Sequence, residues 1–148
     1  MKNLYDSFLQ FITNTTWGQF IARAPGDPQS AVTVKSIFQQ DMYAYAGYYL
    51  LVLTMLALAY YYFILNRKGG SGYGFKLKYW FITMIISAIL LAALTTWTAN
   101  GLVNRFLDLH TFKLCLALGV INGIYLIMAF TLLSIVFKRF SSANRTPF

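Results

Sequence analysis

The chain of 148 residues is 58% hydrophobic and 18% aromatic but only 11% charged, with a formal net charge of +8. A soluble domain carries about 25% charged residues, and so few here cannot cover a water-facing surface. Water-soluble and disordered classes are excluded, leaving a single-domain polytopic membrane protein.

The first 41 residues read as an interfacial region rather than a span. Leu4, Phe8, Phe11 and Ile12 recur at helical spacing, but Gln10, Asn14, Thr15, Thr16 and Gln19 interrupt the run. Such a pattern suits a helix lying in the plane of the membrane surface. Ala24-Pro25-Gly26-Asp27-Pro28 must break it. Ser30 then caps a second helix whose stripe is Val34, Ile37, Phe38, Met42 and Tyr45.

Three stretches without Asp, Glu, Lys, Arg or His follow, at 42–66, 79–104 and 114–137. Each exceeds the ~20 residues that cross a bilayer core as helix. The first is ringed by tyrosines, Tyr43, Tyr45, Tyr48 and Tyr49 at one end and Tyr60, Tyr61 and Tyr62 at the other. Tyrosine favours the interface because its ring prefers the apolar side while its hydroxyl stays wet. Two belts at the two surfaces of one membrane are the reading.

Between the first two spans, residues 67–78 form a Gly-rich loop with Arg67, Lys68, Lys76 and Lys78 and no acid. The tail, 138–148, adds Lys138, Arg139 and Arg145, again with no acid. On the other side Lys2, Arg23, Lys35, Arg105 and Lys113 are offset by Asp6, Asp27, Asp41 and Asp108. Basic loops stay cytoplasmic, so the N-terminus is expected outside and the C-terminus in the cytoplasm. A bacterial plasma membrane is the expected setting.

Spans two and three carry the strongest packing signal. Cys115, Gly119 and Gly123 recur every fourth residue, opposite Ala88, Ala92 and Thr96. An antiparallel hairpin about the short outer loop, 105–113, pairs Thr96 with Gly119 and Ala92 with Gly123. Small residues let backbones approach closely, within the hairpin or against a partner. Leu126 lies off this stripe, so its truncation is expected to be mild. Asn122 is the amide set deepest in a span, and a polar cluster with Thr95, Thr96 and Thr98 is expected to lock the helices.

Chemistry is sparse. One cysteine, Cys115, permits neither an internal disulfide nor a thiolate metal site. The single histidine, His110, stands two residues from Asp108 with no nearby serine or cysteine nucleophile. The segment Lys68-Gly69-Gly70-Ser71-Gly72-Tyr73-Gly74 lacks the flanking strand and helix of a phosphate loop. Basic residues are not interleaved with stacking aromatics outside the spans, so nucleic acid is not an expected partner. No cofactor, metal or small-molecule substrate is expected.

The expected fold class is an all-α integral membrane protein, three transmembrane helices with an N-terminal interfacial helix. Its partners are the lipid bilayer and other membrane subunits or copies of itself. Aromatic faces at Tyr60–Phe63 and Phe130–Phe140 exceed what one hairpin buries, favouring a non-enzymatic subunit or anchor of a larger assembly of secretion, motility or respiratory kind. The alternative is a homo-oligomeric channel or holin-like pore, for which span two offers Thr83, Ser87, Thr95, Thr96 and Thr98.

Overall fold

A computed structural model describes residues 2–23, 28–65, 77–103 and 109–138, nearly all of them helical. Two short helices, α1 (Lys2–Thr13) and α2 (Trp17–Arg23), precede a continuous helical rod. The rod comprises α3 (Pro28–Ile37), a π-helical turn at Phe38–Met42, α4 (Tyr43–Ala59) and a second π-helical stretch at Tyr60–Leu65. Then come α5 (Leu77–Leu102) and α6 (Leu109–Lys138). Three helical stretches are long and apolar enough to cross a membrane, at Ala31–Leu65, Lys78–Leu102 and Thr111–Phe137. The chain is thus a helical, multi-pass membrane protein by length and composition.

The first of these runs 35 residues, or about 52 Å at 1.5 Å per residue. That overshoots a ~30 Å hydrocarbon core. Regular α-helix between the two π segments covers 17 residues, about 25 Å. The helix leading into the first span begins at Pro28, so Ser30 lies inside it and is not its cap, and the apolar stretch extends upstream of residue 42, where composition alone placed the span. Sequence reading stopped at Asp41 because a charge is costly in lipid; helical backbone has no such limit.

The π turn also changes which residues face inward. Val34, Phe38 and Met42 are buried and Ile37 is partly so, following the expected stripe, but Tyr45 is exposed. A π turn inserts an extra residue, and Tyr43 and Ala46 take the inward positions instead.

Helix α1 ends where Asn14 adopts a left-handed φ of 48°, a common helix stop. Among its described side chains, Tyr5 and Leu9 are buried. The stripe read from spacing, Leu4, Phe8, Phe11 and Ile12, lies on the surface. Helix α1 is apolar on both faces, and tertiary packing chose the face carrying a tyrosine.

Two apolar clusters hold the bundle together. One, where the end of α5 meets the start of α6, gathers Tyr5, Leu9, Trp17, Phe38, Met42 and Leu118 among others. The other, toward the opposite end, gathers Leu58, Tyr61, Trp80, Leu91, Leu126 and Phe130. Leu126 is therefore a core residue, fully buried, and the expectation that its truncation would be mild is overturned. Phe130 is buried as well, so it forms no part of an outward aromatic face.

Candidate functional site

The small-residue stripes of α5 and α6 meet inside the chain. A Cβ added at Gly119 would overlap the Thr96 hydroxyl and stand 2.6 Å from the Ala92 carbonyl oxygen. At Gly123 it would stand 3.1 Å from the Ala88 carbonyl oxygen and 3.5 Å from the Ala92 Cβ. Backbone on α6 thus approaches backbone on α5 too nearly for a side chain at Gly119, and closely but less tightly at Gly123. Cys115 lies buried in line with these glycines.

Asn122 stands on the same helix and is fully buried. Its amide nitrogen donates to the Ala46 carbonyl at 3.1 Å and to Thr95 Oγ1 at 2.9 Å. Its Oδ1 accepts from the Tyr5 hydroxyl at 3.0 Å. One side chain on α6 therefore bonds α1, α4 and α5 together. Thr95 passes its own proton to the Leu91 carbonyl at 2.8 Å, so acceptor and donor are both used. Thr96 and Thr98 were expected in this cluster but bond instead to carbonyls four residues back, Ala92 and Leu94.

A second polar hub surrounds Asp6, one residue from Tyr5. Its Oδ1 accepts from the Tyr43 hydroxyl at 2.7 Å and from Trp17 Nε1 at 2.8 Å. Its Oδ2 accepts from Gln39 Nε2 at 3.0 Å. Three neutral donors from α2, the first π turn and α4 converge on a single carboxylate, each a charge-assisted bond. Gln39 and Tyr43 both reach it because residues four apart share one side of the rod. Stacking reinforces the hub, with the Tyr5 and Tyr43 ring centroids 5.2 Å apart. Tyr125 meets Tyr5 edge-on at 5.3 Å. Burial, and secondarily the neighbouring Tyr125, pushes the Tyr5 hydroxyl up to about 12.

The belt tyrosines divide into two sets. Tyr45, Tyr48 and Tyr60 face outward and Tyr49 is half-buried. Tyr43 and Tyr61 are buried inside the protein and so do not stand at a lipid surface. Tyr62 donates to the Ser134 carbonyl at 3.1 Å, and Trp80 Nε1 donates to Ser134 Oγ at 3.1 Å. These bonds tie the rod and α5 to the far end of α6. Lys78 is exposed in the first turn of α5; Arg67, Lys68, Lys76 and Asp108 lie outside the described residues.

Tyr5, Asp6 and Ala46 escaped the reading of the sequence. Asp6 registers there only as a charge, and a backbone carbonyl leaves no trace in a sequence. The signal available was adjacency, since consecutive polar residues flanked by Leu4 and Phe8 imply a helix with two different neighbours. Among the described residues no cluster of three His, Cys, Asp or Glu side chains is placed to hold a metal ion. What the hubs do chemically is pair their own polar groups and fix α1 against α4 and α6, with α5 held through Asn122.

Compared with protein-family models, curated proteins and solved structures, the chain matches none.

Proposed function

We propose that this chain is a non-enzymatic integral subunit or anchor of a larger membrane assembly. The supporting observation is that the polar groups of its hubs pair inside the bundle while large apolar faces stay uncovered. Polar groups at the hubs bond to one another, whereas α4 leaves a broad aromatic and aliphatic face uncovered. Tyr48 is 65% exposed and Phe63, just beyond α4, is 70% exposed, with Tyr45, Leu51, Met55 and Leu56 between or beside them. Lipid wets such a face, and so does a neighbouring subunit, where rings supply large contact areas at low entropic cost.

In this reading α1 packs along α6 at the depth of Asn122 and Tyr125, rather than in the plane of the membrane surface, and its exposed Leu4, Phe8, Phe11 and Ile12 add to the apolar exterior. The basic loop and tail face the cytoplasm of a bacterial cell. The pore alternative gains less support. Thr83 and Thr95 are buried in the bundle, and their hydroxyls donate to carbonyls of their own helix.

The test is purification at native expression after mild extraction. A complex of fixed composition should be lost in the double variant Tyr48→Ala, Leu51→Ala, while the isolated chain unfolds at the same temperature. A chain that elutes alone, or a ring of identical copies, would refute the subunit reading.

A further inference from the structure

The end of α1 and the start of α6 enclose a cleft of about 360 Å³. Ile12, Thr13 and Thr15 form one wall, and Lys113, Leu116 and Val120 belong to the other. We propose that this cleft binds one anionic phospholipid, with its phosphate on Lys113 and an acyl chain along α6.

The occupant follows from where the cleft lies and what lines it. Its α6 wall starts at the edge of the apolar span Thr111–Phe137, the depth at which headgroups give way to acyl chains. Water needs several polar partners to remain in such a space, and these walls are mostly aliphatic. Phe112, Leu116 and Val120 line the cleft, and with Ile124 one turn beyond it they recur every fourth residue, all 41–48% exposed. This stripe runs about 18 Å along α6, through the cleft and one turn past it toward the middle of the span, as an acyl chain would run.

Charge selects the headgroup. Lys113 is exposed, and no acid lines the cleft. Both threonine hydroxyls have other acceptors: Thr13 donates to the Leu9 carbonyl at 2.6 Å and Thr15 to the Thr13 carbonyl at 3.0 Å. The ammonium of Lys113 is thus the donor that remains for a phosphate, and a zwitterionic headgroup lacks the net charge to reward it. Because α1 is bonded to the bundle through Tyr5 and Asp6, a lipid here seals its other edge.

The test uses the full chain, purified in detergent and stripped of lipid. Phosphatidylglycerol and phosphatidylcholine of equal chain length are titrated, with native mass spectrometry and thermal unfolding as readouts. One phosphatidylglycerol should bind per chain and raise the melting temperature; phosphatidylcholine should bind more weakly. Lys113→Gln should weaken phosphatidylglycerol about fivefold, Lys113→Arg should restore it, and Lys35→Gln should change nothing. Val120→Trp, filling the cleft, should block both lipids. Equal binding of the two lipids, indifference to Lys113, or the same stabilisation by inorganic phosphate alone would each overturn the proposal.

Discussion

The Tyr5 hydroxyl donates to Asn122 Oδ1 across 3.0 Å, although 117 positions separate them in the chain. Both side chains are buried. The bond fastens a short N-terminal helix to the middle of the last span. Because Asn122 also bonds Thr95 and the Ala46 carbonyl, losing it unfastens four helices at once.

Asn122→Leu is expected to destabilise the chain by about 1–3 kcal/mol, because the buried Tyr5 hydroxyl loses its acceptor. Tyr5→Phe leaves Asn122 Oδ1 without its donor but keeps the two bonds from the Asn122 amide nitrogen, and should cost less, about 1 kcal/mol. In the Asn122→Leu background, Tyr5→Phe should cost nothing further. Thermal unfolding in one detergent gives all four corners of this cycle; additive losses would mean the two residues are uncoupled.

The glycines of α6 should differ in tolerance. Gly119→Ala is expected to cost about 2 kcal/mol or more, since the new methyl meets both a hydroxyl and a backbone carbonyl. Gly123→Ala should cost under about 1 kcal/mol, the neighbour at 3.1 Å needing to give only a little. Thr96→Ala should rescue Gly119→Ala only in part, because the Ala92 carbonyl remains. Equal effects at both glycines would place the crossing elsewhere.

How far the sequence foretold this arrangement depended on the kind of signal. Span number was legible because a run without charges has one cheap solution in lipid. The Gly119–Thr96 and Gly123–Ala92 register was legible because small residues at a period of four align only one way in a hairpin. Leu126 was misjudged because lipid-facing and core-facing leucines read alike when both surroundings are apolar. Tyr45 was misjudged because a π turn leaves no mark in composition yet shifts every later inward position. The Asp6 hub was missed since its donors come from three separate elements, which only the folded chain brings together.

Alkaline titration should report α1 docking. Tyr5 is raised from an ordinary 10.0 to about 12 in the folded chain. The folded state therefore favours the neutral hydroxyl. Its stabilisation is complete below pH 10 and is lost as the pH climbs from about 10 to 12. Tyrosinate absorbance of the parent minus that of Tyr5→Phe should rise in that window, together with release of α1. A difference curve centred at pH 10 would show Tyr5 to be solvated.

Topology is open to cysteine labelling in intact cells, with Cys115 replaced. Ser30→Cys should react with an impermeant reagent from outside, and Ser71→Cys should react only after lysis. The opposite pattern would invert the orientation drawn from the basic loop.

The subunit reading is tested most directly by photo-crosslinking in native membranes, one photoreactive residue at a time. Tyr48 and Phe63 on the uncovered face of the rod are compared with Ile89, an exposed position on α5. Tyr48 and Phe63 should yield one discrete protein adduct, heavier than the chain by a mass that is not its own, while Ile89 yields lipid adducts. Lipid adducts alone at all three positions, or adducts at twice the chain's own mass, would contradict the proposal.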